Sequence, residues 1–166
     1  MRENFNVKEV TGQLIHWIRE YFDNQPSAKG AVIGVSGGKD STVVAKLLVE
    51  ALGKERVYGV LMPNGEQKDL DDSMRVVTLL GIDYRVVNIE DAYQGLVSSL
   101  GEDMTYQALV NIPPRLRMTT LYAIGASLGY RVCGTGNKSE AFIGYSTKWG
   151  DGAHDFNPIG NLTTDE

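Results

Sequence analysis

Cysteine is almost absent from this sequence: Cys133 is the only one in 166 residues. A single cysteine excludes an internal disulfide and any zinc site built from several cysteines. Cys133 falls in a predicted strand, where a small buried thiol packs well, so we assign it a structural role. Histidine is scarce too, and neither His16 nor His154 is assigned a function.

Positive charge is also limited, since 16 Lys and Arg residues stand against 21 Asp and Glu residues, giving a net charge of −5. A chain of this balance does not offer a general polyanion-binding surface, so we do not expect nucleic acid as a partner. No uninterrupted apolar run is long enough to cross a bilayer. We therefore expect no membrane partner and a cytoplasmic protein.

The hydrophobic pattern alternates between strand and helix after an amphipathic first helix that begins near Val7, with Asn6 and Glu9 at its capping positions. The pattern predicts strands over residues 31–35, 57–61, 83–88 and 131–134. It predicts further helices over residues 41–52, 70–80, 91–100 and 114–128.

This alternation predicts an α/β fold, a doubly wound parallel sheet with helices on both faces. We expect the strand order 3-2-1-4, with a possible further strand, in one domain spanning residues 1–166. Ligands bind such sheets at the carboxyl ends of the strands, beside the first strand. The loops after Leu61 and Gly134 are rich in Gly, Pro, Asn and charge, and are functional candidates.

A glycine loop joins the first strand to its helix, with the sequence Gly34-Val35-Ser36-Gly37-Gly38-Lys39-Asp40-Ser41. Glycines and the free amides of a helix start favour a bound phosphate. Asp40 would repel phosphates unless it holds a divalent cation, so the loop indicates a magnesium-nucleotide site. The spacing fits neither G-x-x-x-x-G-K-[ST] nor G-x-G-x-x-G. The simpler alternative is that Asp40 or Ser41 only caps the helix.

A second loop, Gly134-Thr135-Gly136-Asn137-Lys138-Ser139-Glu140, follows the fourth strand. The topology places Glu140 at the same edge of the sheet as Asp40, and two carboxylates from separate loops could hold one Mg²⁺. By itself, Glu140 is also typical of an ordinary exposed residue at a helix start.

Arg115 and Arg117 follow Pro113-Pro114 at another helix start, where cations oppose the helix dipole by roughly 0.3 to 1 kcal/mol each. An anionic ligand would reverse this penalty. Pairing with a nearby carboxylate is the alternative, and it stays open for Arg117 in particular.

The run Ser36-Gly37-Gly38-Lys39-Asp40-Ser41 resembles the signature of the N-type ATP pyrophosphatases, which split ATP between its α and β phosphates. Three blocks narrow the resemblance to the ammonia-dependent NAD synthetases, over nearly the whole chain. These blocks are Gly134-Thr135 with Glu140, then Thr147-Lys148 with Gly150-Asp151-Gly152, Asp155 and Pro158, and Asn111 with Arg115, Arg117 and Met118.

The resemblance implies an adenine nucleotide alpha hydrolase-like fold and a ligase that forms NAD from deamido-NAD and ammonia, with ATP as co-substrate and Mg²⁺ as cofactor. It implies that residues 34–41 and Thr135 bind ATP and that Asp40 and Glu140 hold the metal. It also implies a homodimer, and that deamido-NAD is bound by Arg115, Lys148 and Asp155. Asp151 is a candidate to deprotonate bound ammonium.

The sequence departs from the family pattern at its end. Thr164 stands where the family often has a lysine for the ATP phosphates, and whether Lys39 supplies that charge stays open. Residues 163–166 form a capping-box pattern, so we expect a C-terminal segment to be missing from this chain. The alternatives are another N-type pyrophosphatase, such as a GMP synthetase-like or tRNA-modifying ligase, or an inactive Mg-ATP-binding fragment.

Overall fold

The computed structural model describes residues 5–67 and 70–166. Residues 68 and 69, within the functional-candidate loop after Leu61, lie outside the described part. The strands are β1 Gly30–Gly34, β2 Val57–Leu61, β3 Asp83–Val86 and β4 Tyr130–Cys133. The helices are α1 Val7–Asp23, α2 Lys39–Leu52, α3 Leu70–Leu80, α4 Glu90–Leu100, α5 Tyr106–Val110, α6 Ile112–Leu128 and α7 Lys138–Ile143, with a short 3₁₀ turn at Lys54–Arg56.

The four described strands form one sheet in the order β3-β2-β1-β4, which confirms the predicted order. All pairings are parallel, with Ala31 opposite Val57 across β1 and β2 and Gly30 opposite Tyr130 across β1 and β4. The possible further strand is reduced to a single parallel bridge between Cys133 and Phe156. Residues 155–156 run beside β4, where Phe156 accepts a hydrogen bond from the Gly134 amide at 2.8 Å.

The sheet has helices on both faces, as predicted. Because side chains alternate along a strand, Ala31 and Ile33 of β1 face one layer while Val32 faces the other. The first layer contains α1, α2 and α3, and the second contains Met118 and Leu121 of α6. Cys133 is buried in the first layer, and burial raises its pKa well above the usual value, in keeping with a structural role.

One helix prediction needs correction, and one short helix was not predicted. The helix predicted from residue 114 begins at Ile112, and Pro113 and Pro114 lie inside its first turn. Proline is tolerated there because the first amides of a helix have no partner within it. The five-residue helix α5, capped by the Thr105 hydroxyl, was not predicted because so short a segment shows no helical period.

The described helices include none with the length and apolar character needed to cross a membrane. Both glycine loops leave the sheet at the carboxyl ends of their strands, the first after β1 and the second after β4. Since β1 and β4 are neighbours, the two loops lie at one edge. This edge holds the candidate site.

Candidate active site

The first glycine loop leaves the start of α2 open. Gly38 is the residue at the N-cap, and no side chain of the described residues caps this helix. Within the described residues, the backbone amides of Lys39, Asp40 and Ser41 donate to no acceptor. Three free donors at the positive end of a 14-residue helix form a suitable place for an anion.

The loop is held in shape by its two serines. The Ser41 hydroxyl donates to the Gly38 carbonyl at 3.1 Å, lies 3.0 Å from the Ser36 hydroxyl and accepts from the Ser36 amide at 3.3 Å. Gly37 has φ of +79°, and a Cβ there would lie 2.9 Å from Cβ of Asp72. Both its conformation and its space therefore require glycine.

The second loop, in contrast, closes the start of α7. Asn137 forms a complete capping box with Glu140. The Asn137 side-chain oxygen accepts from the Glu140 backbone amide at 3.0 Å, and the Asn137 backbone amide donates to Glu140 Oε2 at 2.9 Å. The Lys138 amide donates to the Leu162 carbonyl at 2.7 Å. Little donor capacity remains at this helix start for a ligand.

The two predicted metal ligands meet at Asn137. Its side-chain amide donates to Asp40 Oδ2 at 3.2 Å, while its backbone holds Glu140 Oε2. Neither carboxylate has a Lys or Arg partner among the described residues. No group of three or more His, Cys, Asp and Glu side chains suited to a metal ion occurs in that part of the chain.

Asp40 and Glu140 line the same cleft, of about 530 Å³. Three carboxylates line it in all, since Asp151 joins them, and Lys39 is its one Lys or Arg among the described residues. His154 also lines this cleft, and burial lowers its pKa, an effect that Asp155 opposes. The remaining lining residues are Ser36, Gly38, Ser41, Thr135, Gly136, Asn137, Ala141, Tyr145, Ser146, Gly152, Asn157 and Gly160.

A second cleft, of about 450 Å³, opens beside the first, and Ser36, Thr135 and Asp151 line both. Its walls are mostly apolar and come from the carboxyl ends of β1 and β2 and from α6. Gly34 and Val35 of the predicted ATP loop lie here, with Leu61, Met62, Met118 and Leu121.

Lys39 and Thr164 are brought together by the fold. The Lys39 ammonium donates to the Thr164 carbonyl at 2.7 Å, and the Thr164 amide donates to the Ser139 hydroxyl at 3.1 Å. The cation of the first loop therefore lies beside the position at which the sequence departs from the family pattern.

Arg115 and Lys148 contact each other but line neither cleft. Nε of Arg115 donates to the Lys148 carbonyl at 3.1 Å, and the Lys148 ammonium lies 5.6 Å from the centre of the Trp149 ring. All three side chains are exposed. The assignment of Arg115 and Lys148 to deamido-NAD remains a prediction.

Asp151 and Asp155 differ in their surroundings. Asp151 lies at the junction of the clefts, and its Oδ1 accepts from the Thr147 amide at 2.7 Å. Asp155 lines neither cleft, and both of its oxygens are engaged, by the Val132 amide at 2.8 Å and by the Tyr122 hydroxyl at 3.2 Å. Burial, followed by Asp155, raises the pKa of Tyr122.

Arg117 lines the second cleft. The sequence alone assigned it to no ligand. Its Nε donates to the Met62 carbonyl at 3.0 Å rather than to a carboxylate, and burial lowers its pKa. The alternation of arginines at 115 and 117 marks both residues but does not separate their roles. Only the fold shows that the second one faces the cleft.

Comparison with known proteins gives a consistent result. The sequence model of the NAD synthase family matches residues 10–166. An NH(3)-dependent NAD(+) synthetase from Carboxydothermus hydrogenoformans is 46% identical over 166 residues, covering 97% of this chain and 68% of that protein. The chain spans only part of its curated relatives, from 52% of one to 68% of another.

Two solved structures are similar over nearly the whole chain. An NH3-dependent NAD synthetase from Campylobacter jejuni, in complex with the nitrate ion, has a TM-score of 0.92 and 36% identity, covering 98% of this chain and 71% of that one. An NMN synthetase from Francisella tularensis has a TM-score of 0.91 and 35% identity, covering 98% of this chain and 68% of that one.

Proposed function

Because the chain belongs to the NAD synthase family, we propose that it carries the ATP-binding and amide-forming site of a ligase that makes NAD from deamido-NAD and ammonia. ATP is cleaved to AMP and pyrophosphate. The observation that carries the proposal is an open helix start beside two carboxylates, neither of which pairs with a described Lys or Arg, in one cleft. We also propose that residues 1–166 form one ATP pyrophosphatase-type domain.

The ATP phosphates bind at the first loop. The free amides of Lys39, Asp40 and Ser41 point from the start of α2, and Lys39 adds the positive charge of the cleft. The Ser36 and Ser41 hydroxyls supply further donors in the same loop. Charge that develops on the α-phosphate during the reaction is stabilised by donors fixed in advance in this way.

The donor set fits Mg²⁺, which prefers carboxylate oxygens together with substrate phosphates and water. Within the described residues, Oδ1 of Asp40 and Oε1 of Glu140 accept no hydrogen bond, so one oxygen of each carboxylate remains for the ion. Asn137 holds the Asp40 and Glu140 carboxylates by hydrogen bonds, and two negative charges held in this way favour a bound cation. When bound there, Mg²⁺ neutralises phosphate charge and polarises the phosphoryl oxygens.

The neighbouring apolar cleft suits the adenosine of ATP. It meets the phosphate-binding cleft at Ser36 and Thr135, so an extended nucleoside triphosphate can occupy both. The flat base would pack among Met62, Met118 and Leu121. Thr135 contacts ATP at the junction.

The reaction follows from the chemistry of a carboxylate, which is a poor acyl donor until it is activated. The nicotinate carboxylate of deamido-NAD attacks the α-phosphate, giving an acyl adenylate and pyrophosphate, and ammonia then displaces AMP. Asp151, at the junction of the clefts, takes a proton from bound ammonium. Arg115, Lys148 and Asp155 bind deamido-NAD.

The proposal includes a homodimer in the cytoplasm, with no nucleic acid or membrane partner and with free ammonia as the nitrogen source. Sedimentation equilibrium of the purified protein measures the oligomeric state. A monomer at micromolar concentration would contradict the dimer without affecting the proposed chemistry.

The decisive experiment incubates the protein with ATP, Mg²⁺, ammonium and deamido-NAD and measures NAD and pyrophosphate together. Equal amounts of the two products, both dependent on deamido-NAD, are expected. Binding of Mg-ATP without pyrophosphate would indicate a non-catalytic nucleotide-binding module. Pyrophosphate formed only with xanthosine monophosphate or tRNA would indicate another N-type pyrophosphatase.

Nicotinate mononucleotide is the second acceptor in this assay. The same chemistry on that acid gives NMN, the product named for the Francisella tularensis relative, whose identity to this chain is 35%. The ratio of kcat/KM values for the two acceptors decides between them, and we expect deamido-NAD to be preferred. A preference for the mononucleotide would assign the chain to NMN synthesis.

A further inference from the structure

We propose that Asn137 is a positioning residue that holds Asp40 and Glu140 at one metal site. This inference rests on the proposed function, in which those two carboxylates bind Mg²⁺. Asn137 belongs to the second glycine loop and is 5% exposed. It donates hydrogen bonds to both carboxylates, to Glu140 of its own loop and to Asp40 of the first loop.

The orientation of the Asn137 amide is fixed by its partners. Its oxygen accepts from the Glu140 backbone amide at 3.0 Å, so its nitrogen must face Asp40, 3.2 Å from Oδ2. The reverse orientation would bring an N–H against an N–H and an oxygen against a carboxylate. The side chain therefore has one arrangement, and that arrangement fixes Asp40.

Helix capping alone does not explain this residue. Asn6 also caps a helix, with its side-chain oxygen accepting from the Glu9 amide at 3.2 Å, but the structure gives Asn6 no second side-chain contact in the described chain. The Asn137 side chain makes two further hydrogen bonds: its oxygen accepts from the Thr164 hydroxyl at 3.5 Å, and its nitrogen donates to Asp40, 97 positions away. The second of these goes to a predicted metal ligand and leaves the other carboxylate oxygen of Asp40 free within the described residues.

The physical role is to reduce the freedom of the two ligands before the ion arrives. A carboxylate on a free side chain loses rotamer entropy when it binds a metal, whereas one already held by a hydrogen bond loses less. Hydrogen-bond partners of metal-binding side chains typically contribute 10- to 100-fold to metal affinity. We expect a loss in this range when the Asn137 to Asp40 bond is removed.

The test separates this bond from the helix cap. Asn137→Ser keeps a capping oxygen, because serine and asparagine cap helices about equally well, but it is too short to reach Asp40. Asn6→Ser is the matched control. Binding of Mn²⁺, used as the probe, is followed by electron paramagnetic resonance with a non-cleavable α,β-methylene ATP analogue present, and unfolding temperature is measured in EDTA.

We expect Asn137→Ser to weaken Mn²⁺ binding at least tenfold while its metal-free unfolding temperature stays near that of wild type, and Asn6→Ser to change neither. Equal Mn²⁺ affinity in Asn137→Ser and wild type would overturn the proposal. Should the serine variant unfold, Asn137→Thr keeps the capping oxygen, fills more of the volume and answers the same question.

Asp40→Ala distinguishes the failure of this inference from that of the proposed function. If Mn²⁺ binds wild type and Asp40→Ala equally, the metal site itself is wrong and both proposals fail. If Asp40→Ala abolishes binding and Asn137→Ser does not affect it, only the role of Asn137 fails.

Discussion

The two glycine loops have the same topology but opposite helix starts. Each follows a parallel strand, β1 or β4, and each leads into a helix whose first residue is a lysine, Lys39 or Lys138. The first helix start has glycine at its cap and three amides that have no acceptor among the described residues. The second has a full capping box, and its amides are largely satisfied by the protein itself.

This difference shows that two loops of the same topology offer different groups to one cleft. The open start can receive phosphate oxygens, because its three amide donors have no partner in the described part of the chain. The closed start offers little to an anion, but its cap residue Asn137 donates hydrogen bonds to both Glu140 and Asp40. The donors proposed for the anion thus lie on the first loop, whereas the carboxylates proposed for the cation come one from each loop, and all of them line one cleft.

The largest expected effect comes from the carboxylate of the open loop. Asp40→Ala should lower ATP-to-pyrophosphate turnover roughly 10²- to 10³-fold, because the transition-state charge loses its cation. Asp91→Ala, in the exposed first turn of α4, is the matched control and should stay within about twofold. Pyrophosphate release measures both, and circular dichroism checks the fold. Unchanged turnover would refute the metal assignment.

Alanine at the glycines of the two loops should give unequal costs. Gly37→Ala should lose about 2 kcal/mol, because φ is +79° and the new Cβ would lie 2.9 Å from the Ser73 amide nitrogen. Its unfolding temperature should fall by about 4–8 °C. Gly136→Ala places its Cβ 3.7 Å from Asn157 and should cost less than about 0.5 kcal/mol. Calorimetric scans that gave equal losses would contradict this asymmetry.

The two lysines at equivalent helix positions should differ in nucleotide binding. Lys39→Met should weaken Mg-ATP binding about tenfold, since one charge-assisted contact to phosphate is lost. Lys138→Met should change it by less than about twofold, because Lys138 is exposed and lines neither cleft. Isothermal titration measures both. A larger effect at Lys138 than at Lys39 would contradict the proposal that the first loop binds the phosphates.

The smallest effect concerns His154, whose ring packs against Gly134 of the second loop. Burial lowers its pKa from the ordinary value of 6.5, so the unfolded chain takes up the proton more readily than the folded one. Above pH 6.5 the proton uptake of His154 therefore does not affect the free energy of unfolding. As the pH falls below 6.5, preferential protonation of the unfolded chain destabilises the fold.

His154→Gln should accordingly lose less stability than wild type between pH 7.5 and 5.5. His16→Gln, at an exposed position of α1, controls for the general loss of an imidazole. Urea unfolding at the two pH values gives the comparison, and a steeper loss in His154→Gln would reverse the assigned sign.

Much of the fold could be predicted because the sequence pattern is locally unambiguous. The bounds of β2 and α3 agree with the prediction, since apolar runs and periodicity define them without help from distant residues. The strand order also agrees, because parallel connections restrict the arrangement of such a sheet. The family assignment followed from motifs in three separate parts of the chain and is confirmed.

The side-chain contacts of the site were less predictable. The signal for the Asn137 cap was present, as an asparagine followed three residues later by Glu140, the same spacing as Asn6 and Glu9. Its bond to Asp40 joins distant residues and has no local signature. The same is true of Arg117, whose contact with the Met62 carbonyl depends on how α6 packs across the sheet.

Residues 155–156, which run beside β4, have a consequence for association between molecules. The Phe156 carbonyl accepts from the Gly134 amide, and Asp155 bonds to the backbone of Val132, so the border of β4 is occupied at its carboxyl end. Among the described strands, β3 alone keeps an uncovered border, with Tyr84 40% and Val86 44% exposed. A strand from another molecule would therefore add to the sheet at β3. There the charged residues Asp83 and Arg85 alternate with Tyr84 and Val86, and charges on an edge strand oppose such pairing.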